Sequence, residues 1–360
     1  MSEELRSTAM EGGGAYNKYA KLPAGGAALA VPLLEKAILD IPLDLGDRPI
    51  VIGDYGSSQG RNSLAPMTLA VQALRTRIGK DRPILVFHID QPANDFNSLF
   101  NVLATDPDRY ALGEPNVFPC AIGRSFYERV LPPASVHIGW CSYAAVWLSR
   151  IPSAIPGHFI SIAGAGAVRD EFERQAAIDW ERFLSLRANE LIPGGRLIVA
   201  LPAVADDGLT GFETLMNHAN EVLGEMVDEG AITADERARM VLGSHPRRSQ
   251  DLLAPFVETG KFQGLTVETL EILRVTDAAW AVYEGDGDAN AFATKHAQFF
   301  RSVFMPSLAT AIGRVRAGDV EALISFANRL EDGLKRHLAF EPTAMHTYVQ
   351  TIALVKQSSG

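Results

Sequence analysis

Cysteine is scarce: only Cys120 and Cys141 occur in 360 residues, too few for a disulfide framework or a thiolate metal site. A reducing, cytoplasmic setting is the expectation, with both thiols read as small buried hydrophobes. Runs of lysine and arginine are also missing, and the formal net charge is −10. That balance argues against a nucleic-acid partner, because phosphate binding needs a cationic face, and an acidic surface repels anionic lipid. No uninterrupted apolar stretch approaches the roughly 18 residues of a membrane span. The opening "MSEELRSTAM" lacks the basic-then-apolar order of an export leader. What is present is ordinary for a chain with a large buried core, 47% hydrophobic and 21% charged.

Through the first 205 residues, short runs rich in Val, Ile and Phe alternate with stretches of helical period. The segments 48–56, 82–90, 118–123, 135–143, 158–164 and 195–203 read as buried strands. Between them, "APMTLAVQALRTRIG" and "RDEFERQAAIDWERFLSLRANEL" read as helices. The alternation predicts an α/β fold with a mostly parallel sheet covered on both faces. From 206 to 340 the pattern turns helical and predicts a cap, with a strand near 262–275 returning to the sheet. "AMHTYVQTIALVKQ", within 341–360, reads as a final strand at an antiparallel edge.

Ligands of open α/β sheets bind beyond the carboxyl ends of the strands. Four places there carry chemistry. In "VIGDYGSSQGRNSL" (51–64) Asp54 ends the first strand, and Gly56 and Gly60 permit close backbone approach. The glycine spacing fits the dinucleotide fingerprint badly. Asp90 ends the second strand, where a carboxylate suits a ribose diol. Ser125 and Phe126 follow the third strand and offer a hydroxyl and a ring face. Tyr143 and Trp147 follow the fourth, four apart and so on one face of a helix. Each place alone has a structural reading as turn, cap or core.

Longer words in the same order resemble the SABATH family, plant-type carboxyl and N-methyltransferases that use S-adenosylmethionine. "MEGGGAYNKYA" is similar to M-x-G-G-x-G-x-x-S-Y-A, "DYGSSQGRN" to D-L-G-C-S-S-G-P-N, and "DQPANDFNSLF" to D-L-P-G-N-D-F-N-x-L-F. "GRSFYERVLP" and "CSYAAVWLS" resemble G-S-F-Y-x-R-L-F-P and S-S-Y-S-L-x-W-L-S. The resemblance implies a Rossmann-like class I methyltransferase core, with a mostly parallel seven-stranded sheet, under an α-helical cap. It implies a cofactor site of Lys18, Tyr19, Asp54, Gly56, Ser58, Asn62, Asp90, Gln91, Ser125 and Phe126. It further implies that Tyr143 and Trp147 act at the acceptor carboxylate, in a pocket with Tyr19, Gly26, Trp140 and Val146, and that the chain is a homodimer.

Departures from the family pattern bear on the substrate. Lys18 stands for a serine, Gly26 for the glutamine that grips aromatic acids, and Trp140 for the usual histidine. The N-K-G associated with a divalent ion is missing, so no metal is expected. His137 and His158 are read as structural, since a carboxylate acceptor is already ionised near pH 7. The resulting expectation is methyl transfer to a small or medium apolar carboxylic acid, a fatty acid ahead of an aromatic one. An N-methyltransferase of a heteroaromatic ring, a nicotinamide-dependent oxidoreductase and a non-catalytic binding protein are the alternatives.

Overall fold

The computed structural model describes residues 10–44, 46–315 and 319–358; the leader reading at residues 1–9 lies outside them. Seven strands among these residues form one sheet: β1 (Ile50–Tyr55), β2 (Ile84–Asp90), β3 (Val117–Gly123), β4 (Val136–Ser142), β5 (Leu191–Pro202), β6 (Leu265–Val275) and β7 (Thr347–Lys356). Their order is β3-β2-β1-β4-β5-β7-β6. β1 to β5 pair in parallel, and β7 runs antiparallel to both β5 and β6. The order reverses between β1 and β4, which opens the crevice where α/β sheets take their ligands.

Apolar residues on the two faces of the strands explain why both are covered. Ile50, Ile52, Val86 and Ile138 pack with the helices Val31–Asp40, Leu64–Ile78 and Phe96–Thr105. Tyr55, Cys141, Leu197 and Val199 pack with the long helix Ala167–Glu190. A separate cluster unites the helices Glu213–Asp228, Ala289–Val303, Met305–Val315 and Val320–Phe340. Its members repeat at three and four residues, as in Leu215, Met216, Ala219, Val222, Leu223 and Met226, the stripe of a helix buried on one side.

Two strand readings change. The segment 158–164 is no strand: Ser161–Ala163 is a short 3-10 turn. β4 already has β1 and β5 on its two sides, so neither side of β4 is open to this segment. The Phe159 and Ile160 N–H groups donate to His158 Nδ1 instead, at 2.8 and 3.2 Å. The final strand is antiparallel but lies inside the sheet, not at its edge. Thr347, Gln350 and Thr351 are buried there, and Gln350 Nε2 donates to the Arg247 carbonyl at 2.7 Å. Gln350 thus finds an internal partner through its amide nitrogen, while the Thr347 and Thr351 hydroxyls are buried without one.

One buried node fixes the loop after β3. Arg187 and Glu190, both inaccessible, pair at 2.8 Å. Glu190 also accepts from Tyr55 Oη at 2.8 Å and from the Val130 and Leu131 N–H groups at 3.2 Å. Arg187 Nη1 donates to the Phe126 carbonyl at 2.8 Å. A charge this deeply buried is tolerated because every face of it is paired.

Candidate active site

The turn after β1 is shaped by close approach. Gly56 has φ +87°, and a Cβ there would lie 2.0 Å from Ala144 Cβ in the turn after β4. Its N–H donates to the Ile89 carbonyl at 2.7 Å, so the ends of β1, β2 and β4 converge. Ser58 follows with φ +48°, and its N–H donates to Asp90 Oδ2 at 2.7 Å while the Gln91 N–H donates to Oδ1 at 2.8 Å. Burial pushes the Asp90 carboxyl up to about 6, against the pull of these two donors. A carboxylate so placed gains from further hydroxyl donors, which replace the water it has lost.

Gly56, Ser58, Asp90, Gln91, Ser125 and Phe126 line one end of a cavity of about 360 Å³. Tyr143, Val146 and Trp147 line it further along. The sequence thus names residues from four strand ends that share one space. The remaining candidates do not line it. Asp54 is buried and spent on His88 Nδ1 at 2.8 Å, whose Nε2 meets Tyr110 Oη at 2.8 Å. Trp140 is buried in the sheet core. Asn62 Nδ2 donates to the Ala20 carbonyl at 3.1 Å. Lys18 is exposed, with its ammonium 4.8 Å from the Tyr19 ring centroid. Gly26 lies behind Tyr143: a Cβ on it would fall 1.9 Å from the Tyr143 hydroxyl.

Tyr143 and Trp147 do not share a helix face, because the residues after β4 form a turn. Tyr143 has φ +57°, a left-handed conformation that a helix cannot accept. Its N–H donates to the Ala200 carbonyl at 2.8 Å and that of Leu148 to Gly243 at 2.7 Å. The turn is tied to its neighbours as well as to itself, where the Trp147 N–H donates to the Ala144 carbonyl at 3.0 Å.

Residues 10–20 roof this end. The Glu11 N–H donates to Ser302 at 3.1 Å, Gln59 Nε2 to the Glu11 carbonyl at 2.6 Å and the Gly13 N–H to Asp95 at 2.9 Å. Through these bonds Met10 and Tyr16 reach the cavity. Sequence reasoning singled out Tyr19 and missed Tyr16, three residues earlier on the helix Ala15–Tyr19. Burial pushes the Tyr16 hydroxyl up to about 12. Asn94 was missed as well; its Nδ2 holds the Ser58 carbonyl at 2.8 Å.

The other end is apolar. Ile160, Phe212, Met216, Phe299 and Phe304 line it, and the Phe304 ring centroid lies 6.4 Å from that of Trp147. Among the described lining residues Asp90 and Glu128 are the only charged ones. His137 accepts from the Val51 N–H at 3.1 Å, and burial pushes it down to about 4. His158 is likewise shifted down by burial, and neither histidine lines the cavity.

Two buried polar atoms on this lining, Ser58 Oγ and the Tyr143 hydroxyl, have no protein partner. Orphaned groups of this kind call for a ligand that supplies the missing bonds. Together with a buried carboxylate and the Phe126 ring, they fit a ligand bearing hydroxyls and an aromatic base.

A family model described as SAM dependent carboxyl methyltransferase matches residues 4–357. The chain belongs to that family. S-Adenosylmethionine is therefore its cofactor, and the nicotinamide alternative is set aside. Salicylate carboxymethyltransferase of Clarkia breweri is 26% identical over 330 residues, 86% of this chain and 89% of that one. A Petunia hybrida benzoic acid/salicylic acid carboxyl methyltransferase is 30% identical over 220 residues, 57% of this chain and 61% of that one. Methyltransferase LUC1 of a Fusarium species is 29% identical over 254 residues, 69% of this chain and 66% of its own length. A loganic acid methyltransferase solved with SAH superposes with a TM-score of 0.76, at 21% identity, over 97% of this chain and 99% of its own; this likeness shows the family's fold.

Proposed function

We propose that the protein transfers a methyl group from S-adenosylmethionine to the carboxylate of a monoacid with an apolar body, and that an aliphatic chain suits it better than a salicylate-like ring. The observation that carries this reading is the two-ended cavity: Ser58 and Asp90 at one end, Phe and Met side chains at the other, Tyr143 and Trp147 between. When bound, the cofactor supplies an electrophilic methyl on a sulfonium. Asp90 holds the ribose hydroxyls, while Ser58, Gln91, Ser125 and Phe126 hold the rest of the nucleoside.

Tyr143 and Trp147 bring the only work the acceptor needs. A carboxylate is ionised near neutral pH, so no base has to take a proton, consistent with a lining free of histidine among the described residues. Tyr143 lines the cavity, and its ring face offers cation–π attraction to a sulfonium. Alignment of oxygen with the methyl carbon is then the main contribution. The roof of residues 10–20 excludes water, which would otherwise solvate the nucleophile.

Gly26 supports the aliphatic preference. The Tyr143 hydroxyl occupies the space a side chain at position 26 would need, so no gripping amide can extend from there. No cation on the lining favours an acid with a second charge. A cytoplasmic homodimer, divided near residue 205 into cofactor core and acceptor cap, is part of the same reading. The test is a panel of straight-chain acids, benzoate, salicylate and N-heterocycles, incubated with methyl-labelled cofactor and a chelator. Methyl esters should form, fastest from the aliphatic acids. Products labelled on nitrogen, or turnover restored only by added magnesium, would overturn the reading.

A further inference from the structure

Away from the cavity, two cap helices bring three metal-ligating side chains together. His218 and Glu221 lie on the helix Glu213–Asp228, and His337 lies on Val320–Phe340. His218 Nδ1 is 3.0 Å from Glu221 Oε2, and His337 Nδ1 is 3.2 Å from the same oxygen. All three ligand atoms lie within 4.8 Å of one another. Zinc bonds of about 2.0–2.1 Å at tetrahedral angles set neighbouring ligand atoms about 3.3 Å apart. The two His–Glu separations already match that edge. The histidine side chains are 18% and 23% exposed, so an ion can reach them.

The surroundings of His337 supply a second observation. Its other nitrogen, Nε2, lies 2.8 Å from Glu225 Oε1, while Arg336 approaches the opposite oxygen of Glu225 at 3.6 Å. If Nε2 carries the proton and donates to Glu225, the Nδ1 lone pair faces a carboxylate oxygen. That contact is repulsive unless the ring is doubly protonated or a cation sits between them. A carboxylate on the far nitrogen of a histidine is the arrangement that orients metal-bound imidazole and raises its basicity. Two neutral imidazoles and one carboxylate suit a borderline divalent transition ion, not magnesium or calcium.

We propose that His218, Glu221 and His337 form a zinc site that clips the helix Glu213–Asp228 to the helix Val320–Phe340, with Glu225 orienting His337. Water completes the coordination. The ion would lie outside the methyl-transfer cavity, since none of the three side chains lines it, and it would act by holding the cap together. Met216 and Phe212, beside the first of these helices, face the acceptor end, so the clip braces the wall of that pocket.

The experiment uses the full chain without an affinity tag, stripped with chelator and titrated with zinc chloride by calorimetry, with melting followed in parallel. One equivalent should bind, and the melting temperature should rise with zinc concentration, since binding to the folded form alone stabilises it. His218→Ala and His337→Ala should each weaken binding at least tenfold and remove the zinc-dependent rise. Glu221→Gln, which keeps shape, should weaken binding without altering the zinc-free melting temperature. Cobalt should give the visible absorption of a tetrahedral site in the wild type and lose it in both histidine variants. Absence of binding by the wild type, or equal binding by both histidine variants, would overturn the site. Methyl transfer in chelator is measured on the same samples, so failure of the zinc site is distinguishable from failure of the enzymatic reading.

Discussion

Asp90 is the residue whose chemistry is most exposed to measurement. Its two oxygens already accept from Ser58 and Gln91, yet burial holds the carboxyl near 6. On the proposed reading, in which Asp90 takes the ribose hydroxyls, those donors favour the charged form and cofactor binding lowers this pKa. Above about pH 6 the free protein already carries the carboxylate, and affinity is at its full value. As pH falls through 6 the free form takes up a proton that binding must expel, and affinity declines. Calorimetry from pH 7.5 to 5.5 should show that decline, with proton release on binding near pH 6. Asp90→Asn should flatten the profile and weaken binding by about 1.5–3 kcal/mol for each charge-assisted bond lost. An unchanged wild-type affinity across this range would remove Asp90 from the ribose site. The sequence made Asp90 legible because an acid at a strand end has a fixed place in such sheets. It misplaced Asp54, since nothing in the word "GDYG" shows that His88, 34 residues on, consumes that carboxylate.

At the scale of elements, the loop carrying Ser125 and Phe126 depends on a helix that does not itself line the cavity. Arg187 and Glu190, near the close of Ala167–Glu190, tie down the Phe126 carbonyl and the Val130 and Leu131 amides. Glu190→Ala leaves a guanidinium buried and unpaired, which costs about 3–5 kcal/mol. Differential scanning calorimetry should show a large fall in melting temperature. The double change Arg187→Met with Glu190→Leu should recover much of it, because an apolar pair of similar volume avoids the unpaired charge. A small effect from Glu190→Ala alone would mean that water reaches the node. The helix itself was legible from its period, as were all seven strands, including the returning one at 265–275. The turn holding Tyr143 and Trp147 was not. Their spacing of four satisfies a helix equally well, and the positive φ of Tyr143 comes from backbone partners at Ala200, far along the chain. The cavity's Phe299 and Phe304 lie in the stretch read only as a helical cap, and the face they present was not legible from it.

The whole molecule hangs on a sheet whose sixth position is filled by its last strand. β7 pairs along Arg196–Pro202 of β5 on one side and Leu265–Val275 of β6 on the other. A chain stopped at residue 346 would leave both partners with open edges and the buried faces of Ile352 and Leu354 unfilled. Open apolar edges of this length aggregate. The truncated chain should therefore collect in the insoluble fraction, and what stays in solution should lack near-ultraviolet circular dichroism. A soluble truncation with native dichroism would show that β5 and β6 close on each other without it. The alternating start of β7, with Thr347, Gln350 and Thr351 buried, is what disguised its interior place: a polar side chain reads as solvent-facing in the sequence even where the fold buries it.

That placement also sets an order of events during synthesis. Domains generally fold as units while the chain emerges, N-terminal parts first, and here β1 to β5 and the cap helices precede the strand that joins β5 to β6. The nascent protein consequently waits with a slot in its sheet until β7 leaves the ribosome. Chaperones that shield strand edges have their longest opportunity during that wait.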